Sequence, residues 1–223
     1  MSKSSEIACG LVSPAVLSFA LCANSNADDL LPAQSAPQLP TSAAAGVSPT
    51  VRLGGYIGAL TEQSLIGVTV THPWRTRLQS DYIADAHAIV TAYRFAEAPI
   101  DLEIEAGVAK HFGWSRQTEF DIEPMVRWKA FPWNDFLYTN FRLGIAGFSY
   151  VTSVPEWEKR QVGPFGRTQR FLSFLVPEFT FAPSADSPFE VFVRVHHRSG
   201  IYGVIIKDQS SNYVAAGIRF SIF

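Results

Sequence analysis

The chain has 223 residues, a formal net charge of −2 and 17% charged residues, against roughly 25% in ordinary soluble domains. That balance offers no basic surface for nucleic acid, and no stretch of the body approaches the roughly 18 uninterrupted apolar residues of a membrane-crossing helix. Yet 47% of the residues are hydrophobic and 13% aromatic, an apolar content that some other architecture must absorb.

Residues 1–27 read as a secretory signal peptide. Lys3 precedes the apolar run Leu11–Ala23 and small polar residues follow; the preferred cleavage site is after Ala27, with Ser25 two before it, and the alternative is after Ala23. Both cysteines, Cys9 and Cys22, fall inside this segment, so the exported chain needs no disulfide. Leu21 stands where a lipoprotein signal would want a small residue, which argues against a lipid anchor. Residues 28–50 are rich in Ala, Pro and Ser without apolar periodicity and are expected to form a flexible, disordered leader.

From Val51 the pattern changes to alternation, the signature of strands whose side chains point to opposite faces in turn. The first strand is expected over Val51–Leu60, with Val51, Leu53, Ile57 and Ala59 on one face. A long connection, Thr61–Ser80, carries His72-Pro73-Trp74 and leaves room for a short helix or an outer strand segment. The second strand is expected over Asp81–Phe95. The third, Ile100–Val108, sets Ile100, Leu102, Ile104, Ala106 and Val108 against Asp101, Glu103, Glu105 and Gly107.

The fourth strand sets Ile122, Val126, Trp128 and Ala130 against Asp121, Glu123, Arg127 and Lys129, with Pro124 an awkward guest in a ladder. The fifth sets Leu137, Phe141, Leu143 and Ile145 against Asn140, Arg142, Gly144 and Ala146. A less regular sixth is expected over Arg167–Phe181, a seventh from Phe189, and an eighth over Asn212–Phe223.

Connections after strands two, four and six are short, and those after one and five are long. Together with strands of about 10 residues that alternate apolar and polar, this predicts an all-β fold: an eight-stranded antiparallel transmembrane β-barrel over residues 51–223. A soluble barrel would alternate too, but its apolar face would point inward. Here charges of both signs share the polar face, and in a small closed barrel they would fill the lumen as a paired network. Trp114, Trp128, Trp133 and Trp157 suit interfacial girdles or loop anchors. Both ends of an even-stranded barrel lie on the periplasmic side, so strand seven runs outward.

That strand, FEVFVRVHHRS, carries the candidate chemistry. Val191, Val193, Val195, His197 and Ser199 share one face, while Glu190, Phe192, Arg194, His196 and Arg198 share the other. A histidine and a serine side by side are the minimum for base-activated nucleophilic attack. They would stand near the outer rim facing lipid, where the outer leaflet of a Gram-negative cell presents the acyl esters of lipid A. The adjacent His196 and His197 point opposite ways and are poorly placed to share a metal ion. His196 and Arg198 suit salt bridging at the rim.

On these residues the chain resembles the lipid A 3-O-deacylase family, barrels with His-x-Ser near the outer end of the penultimate strand and an acidic residue on the last. His197-Arg198-Ser199 matches the first element. The resemblance implies a serine esterase that deacylates lipopolysaccharide, with Ser199 as nucleophile, His197 as base, and backbone N–H groups around Gly200 as oxyanion donors. No cofactor or metal is implied. The implied partners are lipid A and the outer membrane, with a homodimer as an allowed assembly. Two positions depart from the family. Gly200 replaces the usual asparagine after the serine, and the acid's position falls on Asn212, leaving Asp208 in the preceding loop as the nearby carboxylate. The third member is therefore Asn212 or Asp208. The competing reading is a non-catalytic small barrel with a structural, adhesion or surface-binding role. A pore is disfavoured because side chains fill a lumen of this size.

Overall fold

A computed structural model describes residues 50–222. The proposed signal peptide, most of the leader and both cysteines lie outside the described residues.

Eight strands form one closed barrel in which each pairs antiparallel with the next. They are β1 (Val51–Thr61), β2 (Leu78–Arg94), β3 (Ile100–Phe112), β4 (Thr118–Trp128), β5 (Tyr138–Val151), β6 (Phe171–Ala182), β7 (Phe189–Ser199) and β8 (Ser210–Ser221). β8 closes on β1 in a continuous register from Arg52↔Ser221 to Thr61↔Asn212, which leaves no free sheet edge. Because the strands alternate in direction, the β1–β2, β3–β4, β5–β6 and β7–β8 connections share the outer end. The first strand ends within a residue of its expected boundary. β2 starts three residues earlier than expected, and β6 starts at Phe171 rather than Arg167. The long first connection holds two short helical turns, Gly67–Thr71 and Pro73–Arg75. One length expectation fails: the β4–β5 connection, 129–137, is longer than the β3–β4 connection, 113–117.

The barrel is inside out relative to a soluble one. Ile57, Ile104, Val108, Ile122, Val193 and Ile218 face outward and exposed, while Arg142, Arg198 and Arg219 are among the largest fully buried side chains. An apolar outer band over a charged interior is what a bilayer selects, because lipid rewards apolar contact and leaves no partner for a charge. The chain is thus a membrane-spanning barrel of the outer-membrane type.

The luminal charges form a lattice. Glu178 on β6 accepts from Arg142 Nη1 (2.9 Å), Arg194 Nε (2.8 Å) and Arg219 Nη2 (3.0 Å), drawing β5, β7 and β8 together. Glu105 on β3 accepts from Arg194 Nη1 (2.6 Å) and Arg142 Nη1 (3.1 Å). Glu103 takes Arg142 Nε (2.7 Å) and also Arg52 of β1, and Glu190 takes Arg127 of β4 (2.5 Å). Asp121 and Glu123 point inward as expected but stand outside this lattice: among the described residues neither is ion-paired to an arginine.

Glu123 is tied to an irregularity that the sequence concealed. The β4–β5 register breaks between Ile122 and Met125, and the β5–β6 register between Gly144 and Gly147. Both breaks reflect one extra residue in β5, a bulge that turns Ile145 and Ala146 outward together. Ala146, expected to face the lumen, is therefore exposed. The bulge also accommodates Pro124, which lies in the broken stretch and has no N–H to give. Glycines on its flanks leave room for the Glu123 side chain. A β-carbon at Gly144 would overlap the Glu123 carboxylate, and one at Gly147 would lie 2.6 Å from Glu123 Oε2.

Two substitutions separate the faces. Removing the hub with Glu178→Ala leaves three guanidinium groups short of a counter-charge and should cost about 3–5 kcal/mol in urea unfolding of the bilayer-inserted barrel. Ile104→Lys places a charge in lipid and should cost about 2–4 kcal/mol in the same measurement. Wild-type stability of Ile104→Lys would show that the assigned faces are wrong.

Candidate active site

The candidate residues stand at the outer end of β7 and β8. Strand alternation sends His196 and Arg198 into the lumen, where both are fully buried, and turns His197 and Ser199 outward, where both are half-buried. His197 pairs in register with Asn212 across the β7–β8 ladder, and Ser199 with Ser210. On its other side Ser199 is paired with Ser173 of β6.

The side chains follow the register. His197 Nδ1 lies 2.7 Å from Asn212 Oδ1. Asn212 Nδ2 donates to the Gln63 carbonyl of the β1–β2 connection at 2.9 Å, which fixes the amide's orientation and leaves its oxygen toward the ring. An amide oxygen only accepts, so His197 carries its proton on Nδ1 and presents a bare Nε2. That is the tautomer a general base needs. Although Asn212 shares the outward face, it is 95% buried because the β1–β2 connection covers it.

Asp208 is not brought to the ring. It is exposed in the β7–β8 connection in a left-handed conformation (φ 58°), and the nitrogen it would hold is already bonded to Asn212. The turn around Gly200 offers its N–H groups unequally. Its N–H donates to the Gln209 carbonyl at 3.0 Å, so that donor is committed to the ladder and not free for an oxyanion. The following residues differ. Gly200 (φ −81°, ψ 11°) is succeeded by Ile201 (φ 50°) and Tyr202 (φ 48°, ψ 28°). A right-handed residue followed by a left-handed one turns successive N–H groups toward one side, an anion-binding concavity. A β-branched residue at positive φ is also strained, and such strain concentrates at functional sites.

Luminal residues hold the strand end from behind. His196 contacts Glu119 Oε1 (Nε2, 3.0 Å) and Tyr56 Oη (Nδ1, 2.6 Å), and Glu119 Oε2 reaches His111 Nε2 at 2.8 Å. Arg198 Nη1 donates to Glu158 Oε1 at 2.9 Å. Glu158 belongs to α1 (Glu156–Val162), a helix inside the β5–β6 connection. Trp128 and Trp133 are half-exposed, as girdle residues would be, whereas Trp114 and Trp157 pack on the apolar cluster around Leu60 and Tyr213. The participation of Gln63, Glu119 and Glu158 carries no sequence signature. At most, Pro155 and Gly163 bracket EWEKRQV as a helix.

No family model matches the chain, and no curated protein matches it. Solved structures similar to the chain include three barrels. The outer membrane enzyme PagL aligns over 77% of this chain and 99% of its own, at 12% identity and a TM-score of 0.50. A de novo designed transmembrane β-barrel aligns over 78% and 95%, at 13% identity and 0.42. Neisserial surface protein A (NspA) aligns over 78% and 97%, at 10% identity and 0.43. At 12% identity the likeness to PagL is one of fold: both are outer-membrane-type β-barrels.

Gly200 supplies a test of the turn after Ser199. A β-carbon there would overlap the Ile206 carbonyl oxygen. Gly200→Ala should open the β7–β8 connection and speed tryptic cleavage after the exposed Lys207 in the folded barrel. An unchanged cleavage rate would contradict the described turn.

Proposed function

We propose that this protein is an outer-membrane serine esterase that hydrolyses an acyl ester of lipid A in the outer leaflet. The observation that carries the reading is the His197–Asn212 hydrogen bond on the lipid-facing surface at the outer rim, with Ser199 two residues along the same strand. Polar groups are costly on that surface, and here an amide fixes the orientation and tautomer of a ring that shares its strand face with a hydroxyl two residues along.

In this reading Ser199 Oγ attacks the ester carbonyl carbon while His197 Nε2 takes its proton. The oxyanion is held by the N–H groups of Ile201 and Tyr202. The carbon–oxygen bond to the sugar then breaks, and the leaving oxygen takes the proton back from His197. Water, deprotonated by the same ring, releases the fatty acid from Ser199. Asn212 holds the ring's tautomer but lacks the charge that would stabilise the imidazolium, so its contribution is smaller than a carboxylate's. Export of the chain to this membrane is assigned to residues 1–27.

Asn212 also favours a second reading, a non-catalytic barrel with a surface-binding role, because an amide is a poorer partner for a charged ring. Fatty-acid release from lipid A by the refolded barrel in mixed micelles, followed by mass spectrometry, decides between them. Ser199→Ala and His197→Ala should each lower the rate by at least about 10²-fold, and the double variant should be hardly worse. Asp208→Ala should be near wild type, and Asn212→Asp should be faster than wild type. A well-folded wild type that releases nothing from several lipid A species would establish the second reading.

A further inference from the structure

We infer that Glu158, on a helix of the β5–β6 connection, is a positioning residue for the outward pair His197 and Ser199. The inference rests on the esterase reading for its catalytic consequence, but not for its structural content. Glu158 is fully buried at the outer end of the barrel, on the luminal side of β7 and β8. Its Oε1 accepts from Arg198 Nη1 (2.9 Å) and from Ser211 Oγ (2.7 Å), and its Oε2 accepts from Gln209 Nε2 (2.7 Å).

The position of those partners makes the contact specific. Arg198 and Ser211 are themselves a register pair, and they lie between the pair His197↔Asn212 and the pair Ser199↔Ser210. One carboxylate thus bridges β7 and β8 from inside at the single rung between the ring and the hydroxyl. The same helix reaches the next rung as well. Gln161 Oε1 accepts from Ser210 N (3.0 Å) and Ser210 Oγ (3.2 Å), on the residue opposite Ser199. The remainder of the connection is tied to the same strands. Arg198 Nη2 donates to the Arg170 carbonyl (3.0 Å), and Gln209 Nε2 to that of Gln169 (2.7 Å).

This coupling has a physical necessity. The outer ends of β7 and β8 lead into a connection with three left-handed non-glycine residues, Ile201, Tyr202 and Asp208, and strand ends fray unless tied down. A fluctuation of one rung would separate the nucleophile from its base, and a misplacement of about 1 Å can cost about 10²-fold in rate. Glu158 holds the rung with hydrogen bonds to one charged and two neutral donors, removed from water where such bonds are strongest.

The test uses the refolded full-length barrel, with Glu158→Ala, Glu158→Gln and Gln161→Ala compared against Glu156→Gln, a partly exposed neighbour on the same helix that pairs with Lys159. Two readouts are taken: fatty-acid release from lipid A, and the NMR signals of the His197 ring, assigned with His197→Gln. Glu158→Ala should lower kcat by about tenfold or more with KM little changed, as expected of lost positioning rather than lost binding. The His197 Nδ1 proton should broaden or exchange faster as its bond to Asn212 loosens. Glu158→Gln, which keeps the side chain's shape, and Gln161→Ala, which removes only the bonds to Ser210, should fall between Glu158→Ala and wild type, and Glu156→Gln should match wild type. A wild-type kcat and an unchanged ring signal in Glu158→Ala or Glu158→Gln would overturn the inference, as would an equal effect of Glu156→Gln. If wild type releases no fatty acid while the ring signal still responds to Glu158, the positioning stands and the esterase reading fails.

Discussion

A charge enclosed in an eight-stranded barrel has no channel of water around it and must find its counter-charge across the lumen. Glu178 meets that demand for three strands at once by accepting from Arg142, Arg194 and Arg219, and Glu105 and Glu103 extend the lattice to β3 and β1. Such a lattice is a weak source of net stability but a strong source of register. A one-residue slip of any strand would turn its arginines or glutamates toward lipid, where no partner exists. The pairing of charges inside therefore decides which residues face outside, including His197 and Ser199.

That dependence gives the outer end of β7 a double character. Its luminal residues, His196 and Arg198, belong to the charged interior, while the alternate residues face the lipid boundary with neutral polar groups. A neutral Asn212 is consistent with that boundary. It orients the ring as an acceptor without placing a carboxylate beside hydrocarbon, and it gives up stabilisation of a charged imidazolium in exchange. The covering contact from Gln63 shields the amide and fixes which of its two ends meets the ring.

Much of the fold was legible because alternation is a local property. The run Ile100–Val108 needed no tertiary information to reveal its two faces, and the structure keeps them through Phe112. The bulge in β5 was not legible. Ile145 and Ala146 continue the alternation on paper, and only the pairing of β5 with β4 and β6 shows the extra residue, beside the space that Glu123 takes over Gly144 and Gly147. Of the site, the His197–Ser199 spacing was legible within one strand, and the choice between Asn212 and Asp208 was not, because it depends on the β7–β8 register. Gln63 and Glu158 were beyond reach for the same reason: each is brought in by a connection whose path no periodic pattern records. That the N–H of Gly200 is held by the Gln209 carbonyl likewise depends on where β8 begins, which no local pattern records.

The central claim is that the luminal lattice presents Ser199 outward as a hydroxyl activated by His197. It is tested most directly by exposing the folded barrel to a lipophilic fluorophosphonate and locating the adduct by peptide mass spectrometry. The account predicts one phosphonylated residue, Ser199, formed with loss of fluoride and abolished by His197→Ala. A folded barrel that stays unlabelled, or that is labelled at another serine, would contradict it.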